Sequence, residues 1–173
     1  MARKVEVVDY DLAWPGMFER EAPLLRKVFA DQLLELHHIG STAIPGLRAK
    51  PTIDVLLVVR DINAIDGLNG AMLQNDYHPE GEFGLPGRRY FWKGIPDVHT
   101  YHAHAYQAGH SEIVRLLNFR DFLRAHRAEA LAYEELKQQL AARFTYNPDA
   151  YTHAKDALIR QMDEKAKRWR AQA

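Results

Sequence analysis

Hydrophobic positions along the chain follow two different periods. Trp14, Met17, Phe18, Leu25, Val28 and Phe29 recur at helical spacing, and Pro15 suits a first turn, where its missing N–H has no partner to lose. This predicts a helix, with Pro23 expected to kink or interrupt it. Ahead of it, residues 5–8 (VEVV) predict a short edge strand. Residues 33–39 run into Gly40-Ser41, and residues 52–59 (TIDVLLVV) form a β-branched apolar run that predicts a strand buried on both faces. Between the two lies a loop or a single helical turn. Residues 62–74 return to helical spacing through Ile62, Ile65, Leu68, Met72 and Leu73, although Gly67 and Gly70 weaken the pattern.

Two more strands are predicted at residues 88–93 (RRYFWK) and 98–106 (VHTYHAHAY), joined by the turn Gly94-Ile95-Pro96-Asp97. Alternation along the second places His102 and His104 on one face. From Gly109 onward three amphipathic helices follow with no strand between them. Their stripes are Ile113, Leu116, Leu117, Leu123; then Tyr133, Leu136, Leu140, Phe144; then Tyr151, Leu158, Ile159, Met162, Trp169 after Asn147-Pro148. No linker precedes Gly109. The expectation is therefore an α+β fold in one domain, residues 1–173, with a mixed sheet core (1–108) and packed C-terminal helices (109–173).

Composition narrows the function classes. Lys+Arg and Asp+Glu balance at 23 each, which argues against bulk nucleic-acid binding, because that affinity comes from excess cationic charge. The chain has no cysteine, so any metal must rest on His, Asp or Glu. No signal-like or membrane-spanning stretch is legible, and the expected location is the cytoplasm.

The densest candidate chemistry is His38-Ile39-Gly40-Ser41-Thr42, with Asp54 thirteen residues beyond Ser41 in the apolar strand. A strand that ends in Gly-Ser before a turn presents amides and a hydroxyl suited to phosphate oxygens. An Asp on the adjoining strand can hold a divalent cation against them. Gly40, Ser41 and Thr42 are therefore candidate phosphate ligands, joined by the cations Lys50, Arg89 and Lys93, with Arg88 beside them. Asp54, His102 and His104 are the candidate metal-binding and catalytic groups. The other reading of these residues is a plain turn, a capped strand and a solvated strand face.

The string HIGSTAIPGLRAKPTID closely resembles the signature of the GrpB family, a set of predicted nucleotidyltransferases. Further matches follow in order: GRRYFWK at 87–93, His102-Ala103-His104, NFRDFL at 118–123, Tyr133 with Lys137, and Tyr151 with Lys155. The resemblance runs from about Val7 to Trp169. It implies a nucleotidyltransferase-like mixed sheet flanked by helices, and it strengthens Lys50 and Arg89, which fall on motif positions. Nucleotidyltransferases of this fold usually carry two carboxylates one residue apart and a third on a neighbouring strand, together holding two metal ions. Here Leu56 stands at the second position, and His102 and His104 stand on the strand that would supply the third. Imidazole suits zinc, nickel or manganese better than magnesium.

The expected activity is thus transfer of a nucleotidyl group from a nucleoside triphosphate to an undefined acceptor, with a magnesium, manganese or zinc ion as cofactor. The expected ligand is a nucleotide or another phosphorylated small molecule. The alternative is a catalytically impaired nucleotide- or small-ligand-binding module of the same fold. A histidine-nucleophile hydrolase or HIT-like transferase, suggested by HTYHAHAY, is the weakest reading, because His99, His102 and His104 do not alternate as a triple. His38, Arg120, Asp121, Lys137 and Lys155 are expected to support the site from behind its first ring of contacts.

Overall fold

The computed structural model describes residues 5–173. Helix α1 (Trp14–Phe29) begins with Pro15 in its first turn and continues through Pro23 without interruption. The expected break is absent because the face carrying Trp14, Ala22, Leu25 and Phe29 is buried throughout, and that apolar packing outweighs one lost backbone bond. Residues 5–8 form no strand. Val8 alone bridges to Ala49.

Strands β1 (Leu33–Ile39), β2 (Ile53–Val59), β3 (Tyr77–Pro79), β4 (Arg88–Ile95) and β5 (Val98–Gln107) form one mixed sheet in the order β1-β2-β5-β4-β3. Only the β2–β5 pair is parallel. The central place of β2 accounts for its apolar run: Val55, Leu56, Leu57 and Val59 are all fully buried. The segment at 62–74 is a 3₁₀ stretch (Asn63–Leu68) followed by the short α2 (Asn69–Leu73). Gly67 and Gly70 there leave it without a continuous helix.

The two sheet faces differ in their cover. One packs against α1, with Val55, Leu57, Phe91, Ala103 and Ala105 meeting Trp14, Leu25 and Phe29. The other carries Leu56, Val58 and Tyr106 against Ile113 of α3 (Ser111–Ala125). Helices α3, α4 (Arg127–Arg143) and α5 (Pro148–Ala171) share their own cluster, in which Ile44 and Leu47 from the β1–β2 connection meet Phe122, Leu123, Tyr133 and Met162. That shared packing fixes the helical segment over one end of the sheet. The architecture is α+β, a mixed sheet flanked by helices with a helical C-terminus. Among the described residues no helix is long and apolar enough to cross a membrane.

Candidate functional site

The parallel register between β2 and β5 sets Asp54 beside His102 and Leu56 beside His104. Side chains on one face of neighbouring strands converge, and Asp54 Oδ1 lies 3.1 Å from His104 Nε2 and 3.5 Å from His102 Nδ1. One ligand atom from each of Asp54, His102 and His104 lies within 4.8 Å of the others. Burial pulls the Asp54 carboxyl upward, but hydrogen bonds to the two imidazoles and their charges outweigh it and hold the carboxyl well below the ordinary carboxylate range. For His102, burial pushes the pKa down against the opposing pull of Asp54.

Each imidazole has a polar group at its far nitrogen. His102 Nε2 meets His99 Nδ1 at 2.9 Å, and His99 stacks on Trp92 with ring centroids 4.3 Å apart. His104 Nδ1 lies 3.4 Å from Arg88 Nη1. A guanidinium only donates, so Arg88 favours the tautomer in which His104 Nε2–H donates to Asp54. A cation on that nitrogen would need the opposite tautomer. The donor set therefore fits a divalent cation best through Asp54 and His102, with His104 joining once Arg88 yields. Two imidazoles and one carboxylate suit zinc or manganese better than magnesium.

The β1–β2 connection approaches Asp54 closely. Gly40 has φ +73° and begins a single 3₁₀ turn, Ser41–Ala43. Thr42 Oγ1 donates to the Thr52 carbonyl at 3.4 Å and lies 2.9 Å from His38 Nε2. Since the hydroxyl proton is used on Thr52, His38 Nε2 carries the proton that Thr42 accepts. His38 itself lies on the α1 face, stacked on Phe18, and burial lowers its pKa to about 4. It is thus a neutral prop behind Thr42.

A cavity of about 190 Å³ opens over this arrangement, lined by Asp54, His102, Ser41, Thr42, Thr52, Lys50, Lys137, Tyr151 and Lys155. Lys137 and Lys155 come from α4 and α5, and they reach the cavity itself rather than standing behind it as the sequence suggested. Lys137 donates to the Arg48 carbonyl at 2.5 Å. Burial, then the charge of Lys155, lower its pKa to about 7. Lys155 lies over the Tyr151 ring, 4.5 Å from its centroid.

Other expected residues stand apart from the cavity. Arg89 pairs with Asp66 at 2.6 Å, and Lys93 pairs with Glu21 at 2.8 Å beside the rings of Tyr77 and Tyr101. Both point to the α1 face, because alternation on β4 turns Arg88, Tyr90 and Trp92, not Arg89 and Lys93, toward His104 and His102. That register sets both side chains on the opposite face of the sheet from the cavity, where they pair with Asp66 and Glu21. Arg120 bonds to Asp121 at 2.8 Å and to the His38 carbonyl at 3.2 Å, and Asp121 pairs onward with Arg170 at 2.6 Å. These two brace β1 against α5. Thr52 belongs to the arrangement without any sign in the sequence, whereas Tyr151 stood there only as a motif position, Arg88 only as a cation beside the phosphate ligands, and His99 only in the weakest reading. For Arg88 the signal was present in the two-residue period of the strand.

A family model described as GrpB protein matches residues 4–165. The UPF0157 protein YqkA of Bacillus subtilis is 45% identical over 168 residues, covering 97% of this chain and 49% of its own, so the chain spans about half the length of that relative. A UPF0157 protein of Halalkalibacterium halodurans is 34% identical over 171 residues, covering 94% of this chain and 82% of its own. The crystal structure of conserved protein GrpB from Enterococcus faecalis superposes with a TM-score of 0.89 at 42% identity, over 95% of this chain and 99% of that one.

Proposed function

The chain belongs to the GrpB family, and from that premise we propose that it binds a nucleoside triphosphate with a divalent cation and transfers the nucleotidyl group to an acceptor. One observation carries the reading: a carboxylate, one imidazole and three lysines line a single cavity, with the His104 imidazole beside the carboxylate. Lys50 and Lys155 around so small a space suit a polyphosphate. At about 190 Å³ the cavity has room for a small polar group such as a phosphate rather than for a whole nucleotide. Ser41 through its hydroxyl and Thr42 through its backbone N–H would bind phosphate oxygens, Lys50 and Lys155 would neutralise the departing pyrophosphate, and Asp54 with His102, joined by His104 once Arg88 yields, would hold the cation. When bound, that cation supplies positive charge against the phosphates.

The test is calorimetry with each nucleoside triphosphate and magnesium, manganese or zinc. Cation-dependent binding that weakens at least about tenfold in Ser41→Ala and Asp54→Ala supports the reading. No heat with any pair would sink it.

A second reading is favoured by Leu56. The position of the missing carboxylate is fully buried among Ile39, Val58, Tyr106 and Ile113, so no ligand group can enter there. A site with one carboxylate is suited to holding a nucleotide without turning it over. Transfer of a label from an α-labelled triphosphate to any protein, RNA or small acceptor would exclude this reading.

A further inference from the structure

We infer that Lys137 takes the nucleotidyl group itself, so that transfer runs through a covalent Lys137 phosphoramidate. The inference rests on the nucleotidyl-transfer reading and adds a nucleophile to it.

Lys137 differs from the other lysines of the site in its surroundings. Its residue is 3% exposed, yet it lines the cavity that holds Asp54 and Ser41. The Arg48 carbonyl fixes the amine at 2.5 Å, and the Tyr133 ring lies beneath it with its centroid 4.8 Å from Nζ. Lys50 and Lys155 are only half-buried, and among the described residues no carboxylate forms an ion pair with Lys137, unlike Lys93 and Lys165 elsewhere in the protein. A lysine that only attracts phosphate gains nothing from being desolvated without a counter-ion. A nucleophilic lysine does, because desolvation beside a second cation leaves the amine its lone pair. Burial and Lys155 act on Lys137 in that direction and outweigh the opposite pull of the Glu134 charge.

In the first step the Nζ lone pair attacks the α-phosphorus and the bond from that phosphorus to the bridging oxygen breaks. Pyrophosphate leaves with that electron pair, beside Lys50 and Lys155. The nitrogen then releases one proton to solvent, leaving a neutral P–N linkage. In the second step an acceptor hydroxyl or amine attacks the same phosphorus, the P–N bond breaks, and Lys137 recovers a proton.

Neither measurement of this inference needs the acceptor. The protein is incubated with each nucleoside triphosphate and magnesium, manganese or zinc, then analysed by intact mass and peptide mapping. Exchange of labelled pyrophosphate into the triphosphate is followed in parallel. The expected result is an added nucleoside monophosphate on the peptide carrying Lys137, acid-labile and base-stable, with pyrophosphate exchange. Lys137→Met should lose both by more than about a hundred-fold while its melting temperature still rises with triphosphate. Stabilisation of the wild-type protein by triphosphate without adduct or exchange would overturn the covalent step and leave nucleotide binding standing. An adduct on Lys50 or Lys155 would overturn the assignment to Lys137. Absence of any triphosphate effect would remove both the step and the reading beneath it.

Discussion

A β-carbon added to Gly40 would stand 2.8 Å from Oδ2 of Asp54. The turn and the carboxylate are packed as one unit, and the glycine is required twice over, by its positive φ and by that approach.

Gly40→Ala should therefore destabilise the protein by about 2–3 kcal/mol, roughly 1 of it from φ and the remainder from displacing Asp54. In an Asp54→Ala background the φ part should remain, with only the milder 3.2 Å contact to the β-carbon of residue 54 added to it. A urea double-mutant cycle should give a coupling on the order of 1–2 kcal/mol between positions 40 and 54. Additive effects would mean that the turn relaxes away from the carboxylate.

Asp54, His102 and His104 should titrate as one cation site. Asp54→Asn and His102→Gln are each expected to weaken zinc or manganese binding by about 10–100-fold in competition titrations. Arg88→Met should act in the opposite direction, because it frees His104 Nδ1 from a donor. The same change removes bonds to the Glu82 and Phe83 carbonyls, so stability should fall by about 1–3 kcal/mol while cation affinity rises. Weaker cation binding in Arg88→Met would show that His104 is not a ligand.

Much of this site was legible because a strand has a period of two. His102 and His104 had to share a face, and the double burial of residues 53–59 had to place Asp54 on an interior strand. The same period separates Arg88 from Arg89 and Lys93, so treating those three cations as one group discarded information the strand already contained. Lys137 and Lys155 were harder. Each sits 83 or more residues beyond Asp54 in the chain, and only the docking of α4 and α5 through Tyr133, Met162 and the β1–β2 connection brings them to the cavity. Their local signs were a polar residue inside an apolar stripe and the motif pairings with Tyr133 and Tyr151. Strand β3 has three residues, too few for alternation to register. Residues 5–8 had strand composition but only one backbone bridge to engage.

His38 makes stability depend on pH. Its folded pKa is about 4, against 6.5 for the free imidazole, because of burial and despite the nearby charge of Asp54. The unfolded chain binds the proton more readily, so stability falls as pH drops from about 6.5 and the full loss is reached below about 4. The effect is on the order of 2–3 kcal/mol. Urea unfolding at pH 7.5 and 4.5 should show His38→Gln losing less stability than the wild type across that interval. Equal losses would place the acid sensitivity elsewhere.

Lys137 should behave in the opposite range. Its pKa is lowered from 10.5 to about 7 by burial and by Lys155, so between those values the unfolded chain holds a proton that the folded chain has released. Stability attributable to this residue therefore rises as pH climbs from 7 to 10.5 and is level above that. Methionine has nearly the same volume and no charge to desolvate, and it forfeits only the bond to the Arg48 carbonyl, about 1 kcal/mol. Lys137→Met is thus expected to be more stable than the wild type at pH 7, by on the order of 1–3 kcal/mol. The gain should shrink to near zero at pH 10, where both folded side chains are neutral and what is left of the unfolded lysine's proton binding is offset by the lost hydrogen bond. Urea unfolding of the two proteins at both pH values decides it. A variant less stable at pH 7 would mean that Lys137 is held as a charged, satisfied structural group, and the case for an unprotonated amine in the cavity would go with it.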